Sequence, residues 1–198
     1  MMEDDSKLYL KELISCLEAF PYENLRRFSE IVYDAYRARR TVFIFGNGGS
    51  AATACHMAAD LFKNTASGGQ PGIRAISLTD NLGLLTAIAN DVAYAQVFVE
   101  QLRPLLSAGD VVIAISASGD SENVVRGVMY ARTQGAVSLG LIGFSGGRLK
   151  DMVDEYIWVP SNKYEQVEDI HLVVSHMLTC ALRESIRASA GHVSVPER

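Results

Sequence analysis

Hydrophobic positions along this chain change their period several times, and each change marks an element. Leu10, Leu13, Ile14 and Leu17 recur at i, i+3, i+4 and i+7, the spacing of one helix face. Pro21 breaks that helix, and Leu25, Phe28, Val32 and Ala35 carry a second apolar stripe. From residue 41 the pattern becomes continuous. Thr41-Val42-Phe43-Ile44-Phe45 is a β-branched and aromatic run that reads as a buried strand. Similar runs cover residues 73–78, 111–116, 139–144 and 156–159. Helical periods lie between and after them, over residues 50–63, 80–91, 94–106, 121–133 and 165–188. Residues 64–72 (NTASGGQPG) have the composition of a loop.

Short strands that are apolar on both faces and alternate with helices are the mark of a parallel sheet covered on both sides. The pattern predicts an α/β fold, a doubly wound five-stranded parallel sheet flanked by helices, in a single domain over residues 1–198. Within it, residues 1–40 form an extra N-terminal helical extension, and residues 41–190 form the α/β core and C-terminal helix. There is no internal repeat or low-complexity segment.

Composition narrows the function classes. With 48% hydrophobic and 21% charged residues the chain has an ordinary globular balance. Its net charge, 18 − 23 = −5, argues against a nucleic-acid surface. The only dense basic run, Arg37, Arg39 and Arg40, reads as cations at a helix C-terminus, where the dipole favours them. Cys16, Cys55 and Cys180 are widely spaced with no CxxC, which suits a reducing compartment. The acidic start lacks a signal peptide's basic and apolar regions, and no apolar run approaches about 18 residues. The expectation is a cytoplasmic protein with no membrane partner.

In parallel sheets ligands bind beyond the carboxyl ends of the strands. Polar, flexible residues are concentrated there. The first strand leads into Gly46-Asn47-Gly48-Gly49-Ser50 and then an alanine-rich helix. Such a turn fits an anion or a sugar hydroxyl, and equally an ordinary turn without a ligand. It is not GxGxxG, and no Gly-Lys-Ser/Thr follows, so neither a dinucleotide fold nor a P-loop is supported. The third strand ends in Ser116-Ala117-Ser118-Gly119-Asp120-Ser121. Hydroxyls and N–H groups without lysine or arginine suit a small sugar phosphate better than a triphosphate. The plain alternative is a serine N-cap, which Asp120 and Glu122 favour because carboxylates repel a dianion.

His56 and Asp60, spaced i,i+4, share a helix face, as do Glu168 and His171 at i,i+3. Cys55, about 100° around from His56, does not form a catalytic pair with it. Glu168 and His176 are separated by about 12 Å of rise and about 80° of rotation. His56, Asp60, Glu168 and His176 together make a candidate zinc set. A solvated carboxylate and structural histidines fit the same spacings.

These motifs coincide in one family. GNGGSAA, a histidine six residues after Ser50, AIAND at residues 87–91, ISASGDSENV and a histidine-bearing last helix resemble the phosphoheptose isomerase family of sugar isomerase (SIS) domains. The resemblance runs from about Leu10 to about Ile186. It implies a homotetramer with active sites at subunit interfaces and conversion of sedoheptulose 7-phosphate to a heptose 7-phosphate, often with zinc. Carried over by motif, Ser116, Ala117, Ser118 and Ser121 would hold the phosphate, and Asn47, Gly48, Ser50, Asp91 and Glu168 the sugar. His56 and His176 would be metal ligands, with His176 also a proton shuttle, and the family's acid/base stands at Asp60. With Asp60 and Glu168 the two histidines are expected to form one metal-centred cluster, in which Asp60 or Glu168 is the base.

Three positions depart from the family. Asp60 stands where a glutamate is usual, Glu168 where a glutamine is usual, and Asn64 where an arginine is common. An acid shortened at one site and gained at another either compensates or marks a different substrate. Two other readings belong to similar SIS proteins: a tetrameric adaptor that binds the replication initiator, and a sugar-phosphate-sensing regulatory domain. The adaptors lose the acid and the last-helix histidine that this chain keeps.

Overall fold

The computed structural model describes residues 2–190. Two helices, α1 (Met2–Glu18) and α2 (Tyr22–Arg37), precede the sheet. The sheet strands are β1 (Val42–Gly46), β2 (Ala75–Ser77), β3 (Val111–Ser116), β4 (Val137–Ile142) and β5 (Glu155–Trp158). All pairings are parallel, in the order β2-β1-β3-β4-β5. The connecting helices are α3 (Gly49–Ala59), α4 (Leu82–Ile88), α5 (Val97–Leu102), α6 (Glu122–Thr133) and α7 (Leu149–Met152), and α8 (Tyr164–Ala190) closes the chain.

Alternation along each strand builds two cores. Ile44, Ile113, Ile115 and Leu141 face α2, α3 and α8, where Phe28, Met57, Val174 and Leu178 meet them fully buried. Phe43, Phe45, Val112 and Ala114 face the other way, onto Phe98, Leu102, Val124 and Val128 of α5 and α6. The expected doubly wound sheet is therefore present, with helices on both faces.

Several boundaries differ from the expectation. The helix expected over residues 50–63 is α3 followed by a π-helical turn, Asp60–Asn64. The strand expected over residues 73–78 is only three residues long. It is an edge strand, and the Ile73 N–H turns instead to the Leu61 carbonyl and Thr65 Oγ1. The fourth strand starts and stops two residues early, because Phe144 takes a left-handed φ of 47° and turns the chain. The helix expected over residues 94–106 begins as a 3-10 turn, Tyr94–Gln96. The α5 that follows is buried nearly all round rather than on one face.

The stretch Leu82–Leu102 also corrects the hydropathy reading. It is helical, and long and apolar enough to cross a membrane by length and composition alone. The backbone is extended at Ala93 (φ −175°, ψ 147°), and Asn90, Asp91 and Glu100 lie within the stretch. These features fit a bent surface arm better than a bilayer span, where every backbone group needs an internal partner. No residue of α4 or of the π-helical turn Ala89–Ala93 is buried, and Leu82 is 70% exposed.

Candidate active site

In this strand order the crossover from β1 runs outward to β2, and the next one returns from β2 past β1 to β3 on its other side. The crevice at that switch lies between the C-terminal ends of β1 and β3. A pocket of about 110 Å³ opens there, lined by Asn47, Ser50, Ser116, Ala117, Ser118, Ser121, Tyr164 and Glu168. The sequence directs this locally. Gly46 pairs with Ile115 at the strand ends, so the glycine turn and the serine turn emerge side by side.

Two helix N-termini face this crevice without side-chain caps. Gly48, at the N-cap of α3, has no side chain to offer, and its φ of 56° suits glycine. Ser121 sits at the N-cap of α6 but makes no capping bond, so its hydroxyl is left for a ligand. The first N–H groups of both helices have no intrahelical acceptor and carry the positive end of the dipole. Ser116 Oγ accepts from the Gly119 N–H at 3.1 Å, and Ser118 Oγ from the Asp120 N–H at 3.3 Å, leaving each hydroxyl proton to point elsewhere. The turn is fixed by Gly119 (φ 72°), where a Cβ would lie 1.9 Å from the Gly146 carbonyl oxygen.

Three residues that the sequence reading did not single out shape this site. Arg148 answers the repulsion expected from Asp120 and Glu122. Its backbone N–H and guanidinium bind Asp120, and Nη1 donates to Glu122 Oε2 at 2.9 Å. Hydrogen bonds from Arg126 and Arg148 hold the Glu122 carboxyl below its ordinary pKa. Asn123, 2% exposed, exchanges amide bonds of 2.8 and 2.9 Å with Asn47. The Tyr94 hydroxyl also donates to Asn47 Oδ1, at 2.7 Å. Asn47 Oδ1 is thus doubly engaged, and what it offers a ligand is its remaining N–H. Asn64, already marked as a departure from the family, acts on Asp60.

His56 and Asp60 of the α3 region meet His176 of α8. His56 Nε2 and His176 Nε2 are 2.9 Å apart, and Asp60 Oδ2 lies 3.3 Å from the first and 3.8 Å from the second. One ligand atom from each residue falls within 4.8 Å of the others. Two imidazole nitrogens and one carboxylate oxygen suit a borderline cation such as zinc, and three protein ligands leave one position open. Asn64 Nδ2 donates to the other oxygen, Asp60 Oδ1, at 2.7 Å. The π-helical turn widens the helix so that Asn64 stands over Asp60.

Glu168 is not one of the three converging groups. Its carboxylate lies over the first residue of α3, where a Cβ on Gly49 would be 2.2 Å from Oε2. Burial raises its pKa above the ordinary value, and Glu165 and Asp169 add to the effect. Asp91 is exposed on the outer arm, where it accepts from Asn90 Nδ2 at 2.8 Å, and it does not line the pocket within one protomer. Cys55 turns away from His56 toward Ser77 and Thr79, as the 100° step requires. His171 is fully buried. Its Nε2 faces the Ile142 carbonyl at 3.4 Å, and desolvation lowers its pKa to about 4, so it is a neutral structural histidine.

Comparison with known proteins places the chain in a family. The SIS domain family matches residues 8–143. The chain is 38% identical over 184 residues to the phosphoheptose isomerase of Nitratiruptor sp., covering 88% of this chain and 96% of that protein. It is 36% identical over 188 residues to the phosphoheptose isomerase of Thermodesulfovibrio yellowstonii, with coverage of 93% and 92%. The solved phosphoheptose isomerase from Neisseria gonorrhoeae superimposes with a TM-score of 0.86 at 28% identity, over 93% of this chain and all of that one. The chain belongs to the phosphoheptose isomerase family of SIS-domain proteins.

Proposed function

We propose that the chain is a cytoplasmic aldose–ketose isomerase that converts sedoheptulose 7-phosphate to D-glycero-D-manno-heptose 7-phosphate. One observation carries this reading. A phosphate-sized pocket of serine hydroxyls and helix N-termini has a carboxyl with a raised pKa in its wall, and the helices α3 and α8 that border it also carry the His56, Asp60 and His176 group. The names of the relatives supply the substrate class, a phosphoheptose.

In the proposed reaction the serine turn anchors the phosphate through Ser116, Ser118 and Ser121. The Asn47 N–H and Ser50 orient the sugar chain. A base removes a proton from C1 of the ketose and returns it to C2, while the hydroxyl proton passes from O1 to O2. We assign the base to Glu168, because both oxygens of Asp60 are committed, Oδ1 to Asn64 and Oδ2 to the histidines. Desolvation brings the Glu168 pKa closer to working pH, which suits a base. His176, half-exposed beside the pocket helices, is placed to relay the hydroxyl proton. Zinc held by His56, Asp60 and His176 would supply Lewis-acid stabilisation of a substrate oxygen.

The assembly proposed is a homotetramer. The apolar, unburied arm from Leu82 to Ala93 supplies an interface, and its burial would carry Asp91 toward a neighbouring site. The test is an isomerase assay with sedoheptulose 7-phosphate, run with and without zinc and beside other sugar phosphates. Turnover restricted to a different sugar phosphate would reassign the substrate. No turnover with any of them would refute the enzyme reading.

A further inference from the structure

We propose a second anion site, at the opposite end of the sheet from the serine pocket, that takes a small ligand carrying two or more phosphate groups. The chain passing from α2 into β1, with the residue before β2, forms a groove of about 430 Å³. Tyr36, Arg37, Arg39, Arg40 and Arg74 line it, and no aspartate or glutamate does. Elsewhere Arg26, Arg27, Arg103, Arg126, Arg148 and Arg187 each pair with a carboxylate. Among the described residues none pairs with the four groove arginines. Arg74 Nη1 donates to the Arg39 carbonyl at 3.1 Å, which draws two of them together rather than neutralising either.

The backbone makes the same point. Helix α2 ends with the Arg40 N–H on the Ala35 carbonyl and the Arg39 N–H on the Tyr36 carbonyl, and Arg39 is left-handed at φ 57°. Glycine is the residue that fills this position at least cost. An arginine serving only the helix dipole needs no such place, since Arg37 already stands in the last turn. That dipole also presents only about half an elementary charge, against four guanidinium groups. The side chain at residue 39 has a use that outweighs its backbone strain.

The chemistry of the ligand follows from the donors. Guanidinium forks match phosphate oxygens two at a time, so four of them suit a diphosphate better than a monoester. The volume is that of a small-molecule site, and the chain's net charge of −5 disfavours a long polyanion. Tyr36, stacked on Tyr33 with ring centroids 6.1 Å apart, gives the groove one flat wall.

Isothermal titration of the whole chain with inorganic pyrophosphate and with ADP at low salt tests this. Pyrophosphate should bind and weaken at least about tenfold in Arg39→Gly and in Arg74→Gln, since hydrogen bonds to charged groups are the strong ones. It should persist in Ser118→Ala, which separates this groove from the serine pocket. Arg39→Gly should raise Tm as it weakens binding, a pairing that general misfolding does not produce. Equal affinity for ADP shows that only the phosphate chain is read, and tighter ADP adds a contact to the ester. No binding of either anion at millimolar concentration, or binding by Arg39→Gly and Arg74→Gln equal to that of the unaltered chain, overturns the proposal. A short oligonucleotide that displaces pyrophosphate at lower concentration overturns the small-ligand class.

Discussion

Replacing Glu168 by glutamine separates the two candidate bases, Glu168 and Asp60. The change keeps the shape that fits over Gly49 and removes only the titrating group. A general base in the transition state is worth roughly 10²–10⁴ in rate, which corresponds to about 2.7–5.4 kcal/mol of barrier. The expected outcome is a kcat loss of that size with sedoheptulose 7-phosphate. Zinc content by elemental analysis should not change, because Glu168 is not among the three converging ligand groups. The pH dependence gives a second readout. A base acts when deprotonated, so the acidic limb of kcat/KM should lie above the ordinary carboxyl range in the wild type, since burial raises this pKa. That limb should disappear in the variant. Stability should move the other way. A carboxyl whose folded pKa is raised loses stability as pH rises through that range, so the glutamine form should be the more stable at neutral pH. Retained kcat would refute the assignment and leave Asp60 as the base.

The other predictions concern separate parts of the site. Ser118→Ala should raise KM for the sugar phosphate roughly ten- to a hundredfold, with a smaller effect on kcat, because a hydrogen bond to a charged group is worth about 1.5–3 kcal/mol; an unchanged KM would remove the phosphate from this turn. Asn64→Leu should weaken zinc binding about 10–100-fold in a competition titration while leaving the Tm of the zinc-free protein unchanged, since Asn64 is exposed and its amide orients Asp60; equal affinity would show the contact to be incidental. Leu82→Glu, at a position 70% exposed in the single chain, should shift the light-scattering mass below that of a tetramer and lower activity with it; an intact tetramer would place the interface elsewhere.

What the sequence showed, and what it did not, follows the range of the interactions. β3 runs over Val111–Ser116, as its continuous apolar run implied, because a central strand buried on both faces leaves no choice of residue type. The edge strand β2 is shorter than its apolar run, since pairing on one side alone does not hold Ile73 against the pull of Leu61 and Thr65. The two π-helical turns were invisible because one widened turn barely disturbs a 3.6-residue period. The serine turn was legible because its chemistry is local. Arg148 was not, because it reaches Asp120 and Glu122 across 28 and 26 residues.

The placement of Glu168 shows how a correct spacing can combine with a missing contact. Helix arithmetic put Glu168 and His176 about 12 Å of rise apart on α8. On α3 the seven residues from Gly49 to His56 span about 10.5 Å by the same rule. Glu168 meets Gly49, and His176 meets His56, so the two helices run side by side with matched rises. The match joins both contacts into one seam and also keeps them a full two turns apart. The Glu168 carboxylate therefore lies in the wall of the serine pocket, and the Asp60 carboxylate lies beside the histidines. The acid lost in length at Asp60 and the acid gained at Glu168 occupy different stations along one active-site wall.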